Sequence, residues 1–472
     1  LPPECREAQS ARYNTRCDVD SSENIVQRET LILHLVPELV RRRIEHRPNL
    51  VKIVDNIGWL FFDKILRMGV GLFVGVWVAR YLGPDQFGLL SFSTAIVGLF
   101  GAIATLGLRG IVVRDIVNDP ESKGETLGTA LALQVIGGVV AYVLIIATVF
   151  LLRPDDVMSK VLVSILGLMA ILKFSEVAEY WFESQVESKY AVWVKNSAFL
   201  IIAALKVALI LLKAPVITFA LAAVSELFLA GTVLLVVMTL RGPKWRNLSF
   251  NAERGWKLLN DGWPLALSGI AVAIYMKIDR VMLGRMVNDE AVGVYSAAVK
   301  ISEVWYFVPM AVVASLFPAI LEARKRSEKL YYDRFQRLYA VMVWMAIGLA
   351  LPMTFLSGPL VTLLFGADYQ DAGTVLAIHI WASIFVFLGV ASSQWFIAEG
   401  QSLLNLQRTI AGAVINVGLN YQLIPAYGPI GAATATVLSH LVADLLWDVM
   451  QKRTRYMFLM KLKSVNPRFL FG

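Results

Sequence analysis

The sequence predicts an all-α polytopic membrane protein with about 12 transmembrane helices, in two parallel-repeat six-helix bundles around a central charged cavity. Three observations predict this fold. The 472 residues are 57% hydrophobic and only 17% charged, which is more apolar surface than a soluble chain of this length buries. Twelve apolar segments follow one another along the chain. Landmarks of the first half recur in the second.

Each apolar segment is long enough to cross a bilayer at about 1.5 Å of rise per residue. Turn residues mark most of the segment edges, as in Gly83-Pro84, Ala214-Pro215 and Gly428-Pro429. The predicted spans, one to twelve, have the approximate limits 56–80, 86–109, 125–152, 160–182, 189–212, 215–240, 261–284, 291–320, 337–365, 372–398, 403–424 and 428–450.

Polar segments divide the chain into five predicted parts. These are a basic N-terminal tail (1–52), a first bundle (53–241), a cytoplasmic amphipathic linker (242–260), a second bundle (261–451) and a cytoplasmic basic C-terminal tail (452–472). We expect the N-terminal tail to be disordered or not native to the protein. The alternative for this tail is an interfacial helix lying on anionic lipid.

Lysine and arginine are distributed unevenly between the two sets of loops. The set that includes both termini carries about 27 of them and the opposite set about five. Because cytoplasmic loops are enriched in positive charge, both termini are predicted to be cytoplasmic. The same enrichment explains the net charge of +8 without any binding to nucleic acid.

The second half of the chain repeats landmarks of the first at offsets of about 204 to 214 residues. The matched features are Asn56-Ile-Gly58-Trp59 with Asn260-Asp-Gly262-Trp263, Arg80 and Gly88 with Arg285 and Gly293, Trp181-Phe182 with Trp395-Phe396, and Pro215 with Pro429. Because each unit has six spans, both units enter the membrane from the same side. Parallel repeats of this kind enclose a cavity between two bundles.

Motifs typical of enzymes and of metal sites do not occur in the sequence. There is no Walker-A pattern, so a built-in ATPase is not expected. Cys5 and Cys17 are the only cysteines and lack metal-ligand spacing. We therefore predict no enzymatic activity, no catalytic residue, no metal site and no cofactor.

Charged residues occur inside several spans, where ionisable groups are costly and should face a protein interior or a wet cavity. Such residues are Asp63, Lys64 and Arg67 in span one, Lys277, Asp279 and Arg280 in span seven, and Lys300 and Glu303 in span eight. One interpretation is structural pairing, for example of Asp63 with Arg67, or of Asp279 with Arg280 or Lys277. The other is a polar cavity for an anionic substrate, because Lys and Arg donate charge-assisted hydrogen bonds to diphosphate oxygens.

A second set of polar residues is a candidate for coupling transport to H⁺ or Na⁺. The candidates are Glu176, Glu179, Glu226, His440 and Asp444, with His379 as a further histidine at membrane depth. Glu176 and Glu179 belong to a stripe with Lys173 and Glu183 on one face of span four. The alternative is that the histidines form hydrogen bonds between packed helices.

Two motifs resemble bacterial polysaccharide flippases, the O-antigen or repeat-unit exporters. The first is W-L-F-F-D-K-I-L-R-M-G…A-R-Y-L-G-P-D-Q-F-G, which begins at Trp59. The second is K-I-D-R-V-M-L-G…V-G-V-Y-S-A-A-V-K-I-S-E-V-W…S-L-F-P, from Lys277 to Pro318. The similarity covers about residues 52 to 455. The superfamily also includes multidrug-and-toxin-extrusion transporters and lipid II flippases.

This resemblance implies a V of two six-helix lobes and transport of an undecaprenyl-diphosphate-linked oligosaccharide by alternating access. It assigns the substrate-binding cations to Arg67, Lys277, Arg280 and Lys300, with Asp63, Asp279 and Glu303 as partners. Lys64 is a further candidate partner, from its position beside Asp63. Expected partners are membrane lipid, H⁺ or Na⁺, and polysaccharide polymerase and chain-length proteins. A cation-coupled multidrug extruder and a non-transporting scaffold of a polysaccharide assembly complex are the alternatives.

Overall fold

The computed structural model describes residues 48–471, with side chains described at residue 56 and over 58–469. These residues form helices and no strand. The prediction of an all-α protein is thereby confirmed for this part of the chain. Most of the predicted N-terminal tail lies outside the described residues. Its end does not match the prediction, since the first helix already begins at Pro48.

Spans one to six lie in the first half of the chain. The helices are Pro48–Leu99, Gly101–Thr105, Arg109–Asn118, Lys123–Leu152, Val157–Leu172, Glu176–Ser184, Ser188–Leu211 and Val216–Arg241. Gly83 divides the first helix into spans one and two, with φ 71° and ψ 169°. Such a conformation is open only to glycine at low cost. A 3-10 turn, Lys173–Ser175, interrupts span four.

Spans seven to twelve follow in the second half. The helices are Ala252–Met286, Asp289–Val304, Phe307–Arg326, Glu328–Phe365, Asp371–His379, Ala382–Ala398, Ser402–Leu441, Trp447–Met450, Arg455–Lys463 and Arg468–Phe471. Gly428 separates spans eleven and twelve at φ 54°, and a π-helical turn, Val442–Leu446, continues span twelve.

Nine helical stretches of the described residues are long and apolar enough to cross a membrane. Two of them, Gly58–Leu99 and Ser402–Met450, each contain two spans on either side of a glycine. Span seven is not among the nine because Lys277, Asp279 and Arg280 lower its apolar character. Within residues 48–471 these helices together make the twelve predicted spans.

The hydrophobic core shows how the two bundles meet. One core cluster contains residues of both bundles, for example Phe92 of span two, Val292 of span eight and Phe365 of span nine. Two other clusters are separate. One belongs to the first bundle and the start of span seven, and includes Leu108 and Phe182; the other belongs to the second bundle alone. The bundles therefore share one core at one end. At the other end each bundle has its own core, and the start of span seven still packs on the first bundle.

We call the two ends of the molecule the joined end and the open end. The joined end carries the turns at Gly83, Arg153, Val287 and Gly428. The open end carries the linker between the bundles and the C-terminal helices. At the joined end, Tyr369 Oη of the second bundle donates a hydrogen bond to the carbonyl of Ala79, 2.8 Å away.

The predicted linker is shorter than expected, because the helix of span seven begins at Ala252. Asn251 caps this helix, its side chain accepting a hydrogen bond from the Arg254 amide at 3.1 Å. Residues 252–260 are thus the first turns of span seven. They lie against the first bundle, where Arg114 and Asp261 form an ion pair of 2.8 Å.

The predicted C-terminal tail also differs from expectation. Helix Arg455–Lys463 lies against the second bundle and buries Met457, Met460 and Lys461. Gln336 of span nine donates hydrogen bonds to the Met460 carbonyl and to Ser464 Oγ, both at 2.9 Å. The basic composition of 452–472 suggested a solvated tail, but its apolar face and one buried lysine dock it on the bundle.

The helix interruptions support the predicted repeat. Span two is broken at Phe100, between Leu99 and Gly101, and span eight is broken at Trp305, 205 residues later. The same offset relates Arg80 to Arg285 and Gly88 to Gly293. Equivalent spans of the two bundles therefore share a break as well as sequence landmarks.

Candidate functional site: a charged cavity between the bundles

Four charged residues of the first bundle form a cluster halfway along their spans. Arg67 Nε lies 2.8 Å from Asp63 Oδ1, one turn away in span one, and Arg67 Nη1 lies 3.5 Å from Glu226 Oε1 in span six. Lys206 of span five approaches Glu226 Oε2 at 3.8 Å. These side chains are 20–27% exposed, so the protein covers the cluster only in part. The Asp63–Arg67 pair is present, as the interpretation of structural pairing expected.

Lys300 of span eight extends toward this cluster from the second bundle. It occupies the hollow over Gly75, where a side chain on that residue would collide with the Lys300 ammonium. Lys300 and Lys206 line the same cavity of about 210 Å³, together with Thr94. The other residues lining the cavity are apolar, and none is acidic. The two ammonium groups and the hydroxyl are donors suited to an anionic group, and Lys206 also pairs with Glu226.

Span seven brings further cations to the boundary between the bundles. Arg280 Nη2 lies 3.7 Å from Glu303 Oε2 of span eight, and Arg280 Nε is buried without a hydrogen-bond partner among the described residues. Lys277 packs its side chain against Gly98 of span two. Lys173 of span four lies nearby, 3.4 Å from the Gly101 carbonyl. Cations of both bundles therefore meet at this boundary.

Asp279 does not pair with Arg280 or Lys277, so that suggested pairing is wrong. It is 3% exposed and accepts hydrogen bonds from Tyr295 Oη at 2.6 Å, Thr436 Oγ1 at 2.8 Å and Asn420 Nδ2 at 2.5 Å. Neighbours one or two positions apart on a helix do not face each other. Asp279 therefore points into the second bundle while its neighbours point to the cavity.

Beside Asp279, a small polar pocket of about 10 Å³ is lined by Glu303, His379 and His440, a volume close to that of one water. His379 Nδ1 lies 3.0 Å from Ser302 Oγ. His440 Nδ1 lies 2.8 Å from Asp444 Oδ2.

Arg408 Nη1 approaches Asp444 Oδ1 of the same cluster at 3.6 Å. Three of the residues predicted for ion coupling, Glu176, Glu179 and Glu226, are distant from this cluster and belong to the first bundle.

The acidic stripe of span four has partners within the first bundle. Glu179 pairs with Lys195 at 2.9 Å, and Tyr180 Oη donates to Glu176 Oε2 at 3.4 Å. Glu183 pairs with Arg109 at 2.9 Å, near the open end. The stripe therefore joins spans four and five and the helix that follows span two.

The structure brings Asp63, Arg67, Glu226, Lys277, Arg280, Lys300 and Glu303 to the space between the bundles, and it does not bring Lys64 into a contact with them. Lys64 is exposed on span one. Lys206 belongs to the site and was not assigned to it from the sequence, although its position deep in span five was a signal. Arg408 was not assigned to any site from the sequence and is 4% exposed in the second bundle. Because Arg408 lies near the start of span eleven, the sequence did not indicate that its side chain is buried.

The arrangement favours recognition of an anion over covalent chemistry. Five cationic side chains of the described residues, Arg67, Lys206, Lys277, Arg280 and Lys300, are partly buried around the cavity. Guanidinium and ammonium groups donate charge-assisted hydrogen bonds to phosphate oxygens. Among the described residues, no group of three His, Cys, Asp or Glu side chains has the arrangement of a metal site.

Fold and cavity together define a multi-pass, all-α membrane protein of transporter architecture. Residues 53–324 match the family described as polysaccharide biosynthesis protein, and residues 264–422 match the MatE family. The first match spans more than half of the chain. The chain belongs to the polysaccharide biosynthesis protein family, as the resemblance in its motifs predicted.

Curated relatives match over most of their length. The chain is 26% identical to the probable flippase AglR of Haloferax volcanii, over 82% of this chain and 80% of that protein. It is 24% identical to the probable low-salt glycan biosynthesis flippase Agl15 of the same organism, over 82% of this chain and 81% of that protein. It is 19% identical to the capsular polysaccharide biosynthesis protein CapF of Staphylococcus aureus, over 85% of this chain and 100% of that protein.

Solved structures share the fold. An inward-facing multidrug resistance MATE family transporter of the MOP superfamily matches with a TM-score of 0.70 and 16% identity, over 85% of this chain and 96% of that chain. The lipid II flippase MurJ in an inward closed conformation matches with a TM-score of 0.67 and 16% identity, over 87% of this chain and 91% of that chain. An outward-facing MATE transporter matches with a TM-score of 0.56 and 15% identity, over 87% of this chain and 96% of that chain. The higher scores belong to the inward conformations.

Proposed function

We propose that this protein is a flippase that moves an undecaprenyl-diphosphate-linked oligosaccharide from the inner to the outer leaflet of a bacterial inner membrane by alternating access. The exported units would serve cell-surface polysaccharide synthesis. The observation that carries the proposal is the cationic cavity between the bundles, above all the pocket shared by Lys206 and Lys300. An inert protein would gain little from five cations at membrane depth, because their desolvation is costly.

The chemistry of such a substrate fits the cavity. A diphosphate carries several anionic oxygens and must leave water to cross the bilayer, so it needs donors that replace its hydration. The lysine pocket offers two ammonium groups, and Arg67 and Arg280 offer planar donors nearby. The polyprenyl tail would stay in the bilayer, between the diverging bundles. Two of the relatives are named flippases and the third a capsular polysaccharide biosynthesis protein, which supports a glycan substrate.

Orientation, coupling and partners are further parts of the proposal. The loop charges support cytoplasmic termini, with the open end at the cytoplasm. H⁺ or Na⁺ is the proposed coupling ion, with Glu176, Glu179, Glu226, His440 and Asp444 as the candidate residues. A polysaccharide polymerase and chain-length proteins are the proposed partners at the outer face.

One specific observation favours a second candidate function, a cation-coupled multidrug extruder. Residues 264–422 match the MatE family. However, the drugs that such an extruder would most simply take are cations, and no carboxylate lines the Lys206–Lys300 pocket. Glu226, which contacts Lys206, also pairs with Arg67. We therefore rank this function second.

The test is lipid mass spectrometry on a strain that lacks the gene and retains the rest of its glycan pathway. The strain is complemented with wild type, Lys300→Gln, Lys300→Arg or Lys463→Gln. Lys463 is exposed on the C-terminal helix and provides a matched loss of one positive charge away from the cavity. Membrane levels of each variant are measured by immunoblotting.

We expect the null strain to accumulate a polyprenyl-diphosphate oligosaccharide that enzymes of the outer face cannot reach. Lys300→Gln should reduce export at least tenfold at normal protein level, because it removes one of the two ammonium groups. Lys300→Arg and Lys463→Gln should export within about twofold of wild type. If the null strain accumulates no such lipid and loses dye efflux instead, the extruder function replaces the flippase function.

A further inference from the structure

Arg153 connects the two bundles at the joined end. It follows span three directly, and its guanidinium meets Asp289, the first residue of the span eight helix. Arg153 Nη1 donates to Asp289 Oδ2 at 3.0 Å and Nη2 donates to Asp289 Oδ1 at 2.6 Å. This bidentate pair is 10% and 19% exposed, which makes it stronger and more directional than an ordinary surface ion pair.

Two further contacts connect the same guanidinium to span seven and to span two. Nη2 of Arg153 donates to the Gly284 carbonyl of span seven at 2.5 Å. The guanidinium carbon lies 3.9 Å from the centre of the Phe92 ring in span two, within the range of a cation–π contact. One side chain of the first bundle thus contacts the spans on both sides of the turn between spans seven and eight.

The backbones meet beside this pair. A side chain on Gly88 of span two would collide with the Asp289 carbonyl, and one on Gly293 of span eight would collide with the Pro84 carbonyl. These two glycines are equivalent in the repeat. The bundles therefore approach to backbone contact at the position where the ion pair crosses between them.

We propose that Arg153 and Asp289 form a reversible latch that closes the joined end, and that Arg153 releases Asp289 and keeps its existing pair with Asp156 when this end opens. The proposal rests on the alternating-access part of the proposed function and is independent of the identity of the substrate. The latch adds to that cycle an ion pair that stabilises the state in which the joined end is closed.

Asp156 is placed to keep the arginine once Asp289 is released. Its Oδ2 already accepts from Arg153 Nη1 at 3.0 Å and from Ser159 Oγ at 2.5 Å, and its Oδ1 caps the span four helix by accepting from the Ser159 amide at 3.0 Å. Burial raises the pKa of Asp156, but the hydrogen bonds from Ser159 and Arg153 outweigh it and lower the pKa below its ordinary value. Asp156 therefore remains ionised at neutral pH.

Asp289 also has support without Arg153. It lies in the first turn of its helix, where the helix dipole favours a negative charge, and opening of the joined end would expose it to water. Removing one partner of a buried ion pair normally leaves an unpaired buried charge. Here each partner keeps a stabilising environment, so the latch can open without that penalty.

The test measures the distance between the bundles at the joined end by electron–electron resonance of spin labels. Cys5 and Cys17 are replaced by Ser, and labels are placed on Cys substituted for Leu212 and Leu363, which are 77% and 74% exposed. The full-length protein is measured in lipid nanodiscs without substrate. Variants on this background are Asp289→Asn, Arg153→Lys, Asp156→Asn and the control Asp155→Asn, an exposed neighbour in the same loop.

We expect Asp289→Asn to raise the population with the longer distance at least fivefold, and Arg153→Lys, which loses the bidentate geometry, to raise it less. Asp155→Asn should leave the distribution unchanged, and Asp156→Asn should lower the longer-distance population, because the opened arginine loses its second partner. Unchanged distributions in Asp289→Asn and Arg153→Lys would overturn the latch. An increase in Asp156→Asn equal to that in Asp289→Asn would overturn the role of Asp156 as the partner that Arg153 keeps in the open state. Because no substrate is present, these outcomes are separate from those of the lipid measurement.

Discussion

Lys300 and Lys461 are both withdrawn from bulk solvent, and their partners differ. Lys461 is fully buried and its Nζ lies 2.6 Å from Asp448 Oδ2, whereas Lys300 shares its cavity with a second lysine and no carboxylate. Burial lowers the pKa of Lys461 although Asp448 opposes this, so desolvation exceeds the gain from the pair. Lys461 thus has a balancing carboxylate inside the fold. Lys300 has no ion pair among the described residues, although its neighbour Lys206 pairs with Glu226.

At the residue scale we predict that Lys461→Met destabilises the protein by about 3–5 kcal/mol, because it leaves the Asp448 carboxylate buried and unpaired. The double variant Lys461→Met with Asp448→Leu should recover most of this loss, since it removes both charges. Thermal unfolding in detergent, followed by loss of the monodisperse peak in size-exclusion chromatography, measures the difference. Lys463→Met, an exposed change on the same helix, is the control. Equal stability of Lys461→Met and Lys463→Met would contradict the structural role of the pair.

At the scale of elements, the turns at the joined end are set by glycines and caps in place of long loops. Spans one and two are joined through Gly83 alone, without a stretch of irregular chain. Span four begins at a cap formed by Asp156, and span eight at a cap formed by Asn288, which accepts from the Ala291 amide at 2.8 Å. Short, capped connections keep the joined end compact, which the contact between bundles requires.

For these elements we predict that Gly83→Ala lowers stability by about 1–3 kcal/mol, because alanine at φ 71° and ψ 169° is strained. Gly348→Ala is the matched control. Gly348 lies exposed inside the helix of span nine and has space for a methyl group, so this change should be neutral or stabilising by up to about 1 kcal/mol. Apparent melting temperatures of the two purified variants and the wild type, in one detergent, measure both changes in stability. A melting temperature for Gly83→Ala equal to that of Gly348→Ala would show that the turn tolerates a side chain.

At the scale of the whole molecule, the arrangement of hydrophobic clusters explains the shape. One cluster crosses between the bundles, and two further clusters stay apart at the open end. The partly exposed charges, such as Arg67 at 27%, lie between these regions. A cavity that is closed at one end and accessible from the other is the geometry that alternating access requires.

For the whole molecule we predict the orientation in the membrane. Single cysteines at Asp155 and Lys213, on a background with Cys5 and Cys17 replaced by Ser, should react with a membrane-impermeant maleimide in intact spheroplasts, because the joined end is proposed to face outward. Cysteines at Arg246 and Asn466, at the open end, should react only in inverted vesicles. The reverse pattern would place the termini outside and would remove the proposed direction of transport.

Much of this architecture could be predicted from the sequence because its signals are local. Hydropathy and turn residues define the twelve spans, and matched landmarks such as Gly88 and Gly293 indicate the duplication. Span seven was recognised from its apolar stretch in spite of Lys277 and Arg280. Mid-span charges pointed to a cavity for the same local reason, since charge at membrane depth is costly wherever the helix stands.

Apart from the Asp63–Arg67 pair, which lies within one turn of a helix, the partners of the charged residues at the site were decided by the tertiary structure. Asp279 bonds to Tyr295, Asn420 and Thr436, and the last two are more than 140 residues away in sequence. Such contacts depend on how helices rotate and pack against one another, and hydropathy does not encode that rotation. For the same reason the basic C-terminal segment looked solvated, and only the fold shows that Lys461 meets Asp448 inside the second bundle. The sequence by itself determined which residues enter the membrane. Three-dimensional packing determined which of the charged residues neutralise one another and which have no ion pair among the described residues.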